Sequence, residues 1–518
     1  MDPGVRRFFR GRKFLPVLLA KAIMEDITIV SDPLTGLIYR WEGRFWEEYE
    51  RDHIERKALL MLGDEANSAK AADAANMVCK LSTLPAGRKM DDNPDLICLE
   101  NGMFNHVTGE LLRHAKEYYF SCMLPVSFDP KNIKDCPRWK QFLEEAVVDK
   151  AVIREIQKFF GYCLTRDTKY EKMIIFFGPG GDGKSTLLKV LKAVVGAKNC
   201  THIPMGRLED QFYLSKLVGK LLNTFSEVEQ KAMQSQEIKA IVSGDDISAS
   251  FKNQTPFDFR PYCKLAYSTN KLPKMLDNSD GFFRKVMVVE MTRQFVKSGA
   301  ADIDLEEKLL EELAGIFAWA LMGLDALRKD KGFNESEQMK RSIEDYKTVN
   351  NNILYFIKQH VVADPAGKEL KSSQGKNHPS VYEVYTERCR GWNLPPFGEP
   401  QFQKEFARLL RDMGVDVKDG KKEIEINQVG DKRRANCYTG FFIVDEKDNG
   451  TDLSSLPALS PPRRWPIMRV FAMAVPRVIC PGCPGCPGRK KGQPGQKKPN
   501  KVNKLGQSVR VVRGKMNS

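Results

Sequence analysis

The apolar positions of this chain change period along its length, and the changes mark its elements. In Asp32–Trp41 a Thr-Gly turn leads into alternating Leu37, Tyr39 and Trp41, the period of two expected of a half-buried strand. Asn101–Leu112 carries a second hairpin signal of the same kind. From about Pro137 to Leu164 the period becomes helical. Met173–Phe177 is then a short unbroken apolar run, read as a buried strand. It opens an alternation of strand and helix patterns that reaches about Val289 and predicts an α/β core with a largely parallel sheet. Glu306–Arg328 is strongly helical, Lys329–Ser342 reads as an exposed linker, and a smaller unit spans about Ile343–Asp445. From Gly450 onward Pro and Gly rise, acids vanish and periodicity stops, so a disordered tail is expected. The boundaries that follow are 1–136, 137–328, 329–445 and 446–518.

The chain has 518 residues and a formal net charge of +15. Asp452–Ser518 holds 14 of the 82 Lys and Arg and one of the 67 acids, which leaves 68 bases and 66 acids elsewhere. A nearly neutral body therefore carries a basic tail, and a uniformly basic coat is excluded. The longest apolar candidate, Leu313–Leu324, falls short of the ~18–20 residues a membrane span needs. No membrane role is expected, and the location expected is cytoplasmic. The 12 cysteines are mostly scattered singly, as in a reduced compartment. Cys480, Cys483 and Cys486 form a tight triple with no fourth ligand nearby, so they are read as part of the tail rather than as a zinc site.

The strongest chemical signal is Gly178-Pro179-Gly180-Gly181-Asp182-Gly183-Lys184-Ser185, followed by a helix pattern from Thr186. It matches G-x-x-x-x-G-K-[ST] in full, with the predicted strand before it. Glycines let such a loop curl until its N–H groups point at phosphate oxygens, and the helix N-terminus adds its positive end. Lys184 would reach the β- and γ-phosphates, and the Ser185 hydroxyl would ligate Mg²⁺. A second apolar run, Leu221–Phe225, ends in Glu227 and Glu229, two residues apart and expected on one side of an extended chain. Either carboxylate would hold Mg²⁺ or polarise the attacking water. A third run ends at Asn270 before Pro273, where an amide can orient water near a γ-phosphate. Arg284, just before the apolar strand Val286–Glu290, is a candidate arginine finger.

In this order the segments resemble a superfamily 3 helicase, in particular the helicase part of the phage and plasmid primase-helicase family, whose module the poxvirus primase-helicase shares. Phe160–Arg166, Gly178–Ser185, Ser226–Glu229, Val242–Ser248 and Ser268–Pro273 carry the likeness, which covers roughly Phe14 to Val444. It implies an α/β P-loop NTPase core of AAA+-like type, with an N-terminal α+β helicase-associated domain and a C-terminal winged-helix-like domain. It also implies a homohexameric ring that couples ATP hydrolysis to translocation on single-stranded DNA and to unwinding of forked DNA. Lys184, Ser185, Glu227 and Asn270 would come from one subunit and Arg284 from its neighbour, with Lys285 and Arg293 as alternatives in nucleotide sensing.

The resemblance places the DNA contact on a hairpin. Ile247–Phe251 and Phe257–Phe259 have the alternation for one, with Lys252 near its tip. Ser250 stands where the family usually has a basic residue. About 13 residues precede the likeness, so primase activity is expected on a separate protein. The rival readings are an ATP-switched replication initiator or loader that does not unwind, a small-molecule kinase built on the same loop, and an inactive remnant, which the unusual tail keeps open.

Overall fold

The computed structural model describes residues 3–228, 233–275, 280–295, 302–363, 370–371, 380–392 and 394–414, and the strands within 418–443. Glu229, the tail from 446 and its three cysteines lie outside the described residues.

The N-terminal part opens with helix α1 (Pro16–Asp26) and an antiparallel meander of β1 (Ile29–Ser31), β2 (Ile38–Trp41) and β3 (Trp46–Glu48). The Thr-Gly turn read from the sequence closes by Gly36 N–H donating to the Asp32 carbonyl at 2.9 Å. Helices α2 (Arg51–Leu62) and α3 (Ser68–Leu81) pack with α1 through Leu19, Ile23, Ile54, Ala58, Ala74 and Val78. A second meander follows, β4 (Leu96–Leu99), β5 (Gly102–Asn105) and β6 (Glu110–Leu112).

Helices α4 (Pro137–Val147) and α5 (Lys150–Cys163) then replace the single helical region that the period predicts. The break falls at Val148, whose φ of +65° no helix accommodates. Next come β7 (Met173–Phe177), α6 (Lys184–Val195), β8 (Cys200–Thr201), β9 (Leu222–Ser226), α7 (Gln236–Ser243), the hairpin β10 (Ile247–Ala249) and β11 (Phe257–Phe259), β12 (Lys264–Thr269) and β13 (Val286–Glu290). Five of these strands form one sheet in the order β8-β9-β12-β7-β13, with every neighbouring pair parallel. The molecule is thus mixed α/β around a parallel sheet.

The period of two in each strand decides which layer each side chain joins. Ile174, Phe176, Ala266, Met287 and Val289 face one apolar cluster, filled by α4, α5, α6 and the helix α9 (Leu313–Lys329), which follows the short α8 (Leu305–Glu311). Met173, Ile175, Leu265, Tyr267, Val286 and Val288 face the other, filled partly by α7. Strands covered on both faces read as unbroken apolar runs, which is why period alone does not distinguish them from buried helix.

The stretch read as an exposed linker differs. Phe333 packs edge-on against Tyr162 and Tyr170, Lys172 pairs with Glu335, and Ser336 caps a helix, α10 (Glu337–Asn350). Met339 on that stretch is buried, and with Ile343 and Tyr346 just beyond it forms one helical stripe spread thinly among charges. Beyond it, α11 (Asn352–His360), α12 (Val381–Gly391) and α13 (Glu399–Asp412) close a separate aromatic cluster of Phe356, Tyr385, Phe402 and Phe406. Two antiparallel strands follow, β14 (Lys418–Glu425) and β15 (Lys432–Thr439). Among the described residues no helix is long and apolar enough to cross a membrane.

Candidate functional site

Parallel strands deliver their carboxyl ends to one edge of a sheet, and at this edge β7, β9 and β12 end side by side. The chain leaves β7 at Gly178, which donates to the Thr269 carbonyl at 3.3 Å, and leaves β9 at Glu227, which donates to the Ser268 carbonyl at 2.9 Å. A cavity of about 370 Å³ opens above these ends, lined by Gly180–Thr186, Ser226, Glu227 and Ser268–Asn270.

The loop between β7 and α6 is built by its glycines. Gly180, Gly181 and Gly183 have φ of +101°, +66° and +90°, a region that side chains disfavour. A Cβ on Gly183 would also stand 2.9 Å from the Phe142 ring, and one on Gly178 would collide with the Met291 carbonyl. The loop thus turns back on itself and hands the chain to α6, whose first residue is Lys184. The Lys184 ammonium is buried. It donates to the Gly178 carbonyl at 2.9 Å and to both Asp182 carboxylate oxygens, at 2.9 and 2.6 Å. Asp182 in turn accepts from Gly180 N–H at 3.3 Å. Pro179 on this loop and Ser185 in the first turn of α6 are exposed.

Glu227 lines the cavity, but the chain is not extended there as the sequence suggested. Strand β9 ends at Ser226, and Glu227 has φ +66°, an uncommon conformation for a residue with a Cβ. The Glu227 N–H still makes the last bond to the neighbouring strand, and its positive φ then turns the chain away. Asn270 stands across from Gly180, within 3.8 Å of where a Cβ would sit on that glycine.

The other wall of the cavity was not foreseen. It consists of Arg138, Phe142 and Glu145 from α4, with Phe295, Asp302 and Leu305. Phe295 is tied to the loop by its N–H donating to the Gly181 carbonyl at 2.8 Å, and Arg293 lies over its ring at 5.4 Å. Residues 138, 142 and 145 share one helix face, which the sequence contained, but nothing in it said that this face meets the glycine loop.

Three predicted residues, Arg284, Lys285 and Lys252, lie elsewhere. Arg284 is exposed and precedes β13, so it sits at the opposite edge of the sheet, a strand length of roughly 16 Å away at ~3.3 Å per residue. Its neighbour Lys285 is buried and bound to Glu171 and Ser243, at 2.5 and 2.6 Å, which removes it from nucleotide sensing in this cavity. Lys252 is exposed in the turn of the β10–β11 hairpin, where Phe251 stacks on Phe257 at 5.2 Å. Ser250 is buried there, its N–H donating to the Gln211 carbonyl at 3.2 Å.

Residues 18–148 match the family model described as D5 N terminal like, and residues 176–285 match a family of unknown function (DUF5906). A protein of Acanthamoeba polyphaga mimivirus named "Putative helicase L207/L206" is 25% identical over 232 residues, 41% of this chain and 23% of that protein. One of Invertebrate iridescent virus 3 named "Putative helicase 121R" is 22% identical over 364 residues, 62% of this chain and 38% of that protein. The chain therefore matches well under half the length of either viral relative. Among solved structures, the apo C-terminal region of NrS-1 aligns with a TM-score of 0.50 at 14% identity, over 81% of this chain and 98% of that one. At that identity the likeness is one of fold.

Proposed function

The chain belongs to the phage-type primase-helicase family, and from that premise we propose that it is an ATP-dependent DNA helicase of a phage, prophage or plasmid replication system. The observation that carries this reading is the single cavity shared by the glycine loop, Lys184, Ser185, Glu227 and Asn270. The donor set fits a magnesium nucleotide. The curled loop presents no side chain at Gly180, Gly181 and Gly183, and Ser185 and Glu227 offer oxygen donors to the same space. Among the described residues no group of three or more His, Cys, Asp and Glu could hold a metal alone. Mg²⁺ takes one or two protein oxygens and otherwise phosphates and water, and Ser185 and Glu227 would supply two. When bound, it would neutralise charge on the β- and γ-phosphates.

Each side chain then has a task. The loop N–H groups and Lys184 hold the phosphates, and Ser185 and Glu227 hold the cation. Glu227 or Glu229 polarises the attacking water, and Asn270 orients it near the γ-phosphate. Arg284 lies too far from its own cavity to act there, and this favours its donation to the cavity of a neighbouring subunit in a homohexameric ring. Lys252, exposed on the hairpin, would track phosphates of single-stranded DNA through the ring. Residues 1–136 would form the helicase-associated domain and 137–328 the ATPase core. In 329–445, helices α11–α13 with β14 and β15 suit a winged-helix-like DNA-binding unit.

The decisive measurement is ATP hydrolysis with and without single-stranded DNA, beside unwinding of a forked duplex. DNA-stimulated hydrolysis with strand separation is expected, both abolished by Lys184→Ala. Hydrolysis without strand separation would replace the helicase by an initiator or loader. Phosphoryl transfer indifferent to DNA would point to a kinase.

A further inference from the structure

Asparagine is mostly found at protein surfaces, yet Asn350, Asn351 and Asn352 stand in a row and all are buried. Buried amides need partners, and these find theirs in two different parts of the molecule. Asn351 caps α11 by accepting from the Ile353 and Leu354 N–H groups at 3.1 and 3.2 Å, and it donates to Glu405 of α13 at 3.2 Å. Asn352 donates to the Pro395 carbonyl at 2.7 Å and accepts from the Tyr385 hydroxyl of α12 at 2.8 Å. Both are thus built into the aromatic unit of α11–α13. Asn350, the last residue of α10, instead reaches the loop that follows Asn270. It accepts from the Met275 N–H at 2.7 Å and donates to the Met275 carbonyl at 3.0 Å. One amide therefore pairs with both backbone groups of one residue, as a neighbouring strand would. Turned over, it would set oxygen on carbonyl and N–H on N–H, so its partners fix its orientation.

The rest of that end of the loop is held in the same manner. Tyr346, one turn earlier on α10, donates its hydroxyl to the Pro273 carbonyl at 2.8 Å, and its ring meets Phe283 edge-on at 5.3 Å. The Lys274 carbonyl accepts at 3.0 Å from the N–H of Met233, on the chain that follows Glu227. At the near end, the Thr269 hydroxyl donates to the Lys271 carbonyl at 2.6 Å and accepts from the Lys271 N–H at 3.2 Å. The turn so made presents Asn270, which is exposed on the cavity wall. Leu272 alone separates the two anchorages, and it packs against the apolar cluster on that face of the sheet. A shift at Pro273 and Met275 is therefore passed on to Asn270 rather than absorbed.

We infer that Asn350 and Tyr346 are positioning residues for hydrolysis. They set where Asn270 stands at the γ-phosphate, and through Asn351 and Asn352 the α11–α13 unit becomes the fixed end of that loop. This deepens the function proposed above and rests on it. Both residues lie outside the cavity lining, so they do not hold the nucleotide. What they supply is the placement of the amide that orients the attacking water. A misplacement of about 1 Å at a reacting group can cost roughly 10²-fold in rate.

The test is steady-state ATP hydrolysis by the full chain with single-stranded DNA present, beside calorimetric ADP affinity. The proteins are the wild type, Asn350→Leu, Tyr346→Phe, Asn270→Ala and the two double variants with Asn270→Ala. Asn350→Leu keeps the branched shape and loses both Met275 bonds. Tyr346→Phe removes one hydroxyl and leaves the ring, and it carries the test alone if Asn350→Leu does not fold. kcat is expected to fall about tenfold or more in Asn350→Leu and severalfold in Tyr346→Phe, with KM and ADP affinity within about twofold of wild type. In the Asn270→Ala background neither change should lower kcat further, because both act through that amide. Losses that multiply in that background would overturn the proposal, as would an equal loss of ADP affinity, or unchanged kcat in both variants. Where Asn270→Ala leaves too little turnover to measure, the split between kcat and ADP affinity decides. Full hydrolysis by Asn270→Ala would also overturn it while leaving the nucleotide reading in place. Failure of the nucleotide reading has a different signature: the wild type neither hydrolyses ATP nor binds ADP. That result overturns both readings.

Discussion

The Lys184 ammonium lies 2.6 Å from a carboxylate oxygen of Asp182, two residues earlier in the same loop, and both side chains are buried. This cation is thus already neutralised by its own loop. On the function proposed above, an incoming nucleotide would exchange that carboxylate for a phosphate oxygen before Lys184 contributed to binding. Asp182→Asn keeps an acceptor for the loop N–H groups and removes the competing charge. ADP affinity is expected to rise severalfold, on the order of 1 kcal/mol, as read by calorimetry. A weaker affinity would instead make the carboxylate a support for the loop.

A second buried pair ties the N-terminal part to the sheet. Arg166, three residues past α5, donates to Asp91 at 2.9 Å and stacks on Phe120 at 4.2 Å. Asp91 also accepts from Ser121 N–H at 2.9 Å and from the Tyr262 hydroxyl at 3.1 Å. Removing one partner leaves an uncompensated buried charge, which costs roughly 3–5 kcal/mol. Asp91→Ala and Arg166→Ala should each lower the urea midpoint by that equivalent. The double variant should lose clearly less than the sum, because it leaves neither charge alone. Additive losses would mean that the two residues act separately.

Lys264 opens β12 and is buried, with its ammonium donating to the Thr165 and Tyr262 carbonyls at 2.8 Å each and lying 4.6 Å from the Tyr162 ring centre. Burial pushes its pKa down to about 8 from 10.5. Between those values the unfolded chain binds a proton that the folded chain has released, so this group raises stability as pH rises through that window. Below about 8 the burial penalty is present in full. Relative to Lys264→Met, the wild type should gain on the order of 2 kcal/mol between pH 8 and 10. Urea unfolding across that range checks it, and parallel curves for the two proteins would refute it.

Arg284 is exposed on the edge of the sheet away from the cavity. If it serves a neighbour's site, Arg284→Ala should cut hydrolysis by about 10³-fold or more while ADP still binds with wild-type affinity. Mixing Arg284→Ala with Lys184→Ala should restore part of the activity, since some mixed interfaces pair an intact loop with an intact Arg284. Full hydrolysis by Arg284→Ala alone would remove it from the mechanism.

Much of this arrangement is written locally. Met173–Phe177 is unbroken apolar residues of strand length, and the following glycines, Lys184 and Ser185 match a loop whose backbone conformation few other residues allow. The strand–loop–helix that the structure contains was therefore legible, as were the two Thr-Gly hairpins and the parallel sheet. Less legible was the turn at Glu227, whose positive φ ends the strand straight after its bond to Ser268. Also missed was helix α10, whose buried stripe of Met339, Ile343 and Tyr346 is thinly spread among charges.

The sequence by itself determined which residues can curl, donate or ligate, because those are properties of a residue and its near neighbours. The tertiary structure alone decided who meets whom. Phe142, Arg138 and Glu145 are an ordinary amphipathic helix face until α4 is laid against Gly183. Asp182 and Lys184 are two charges in a loop until burial makes each the other's partner. Arg284 follows the motifs in order along the chain, yet its strand runs parallel to β7, so it begins at the edge where the cavity is not. Contacts between distant segments depend on packing and sheet order, which no single stretch of sequence carries.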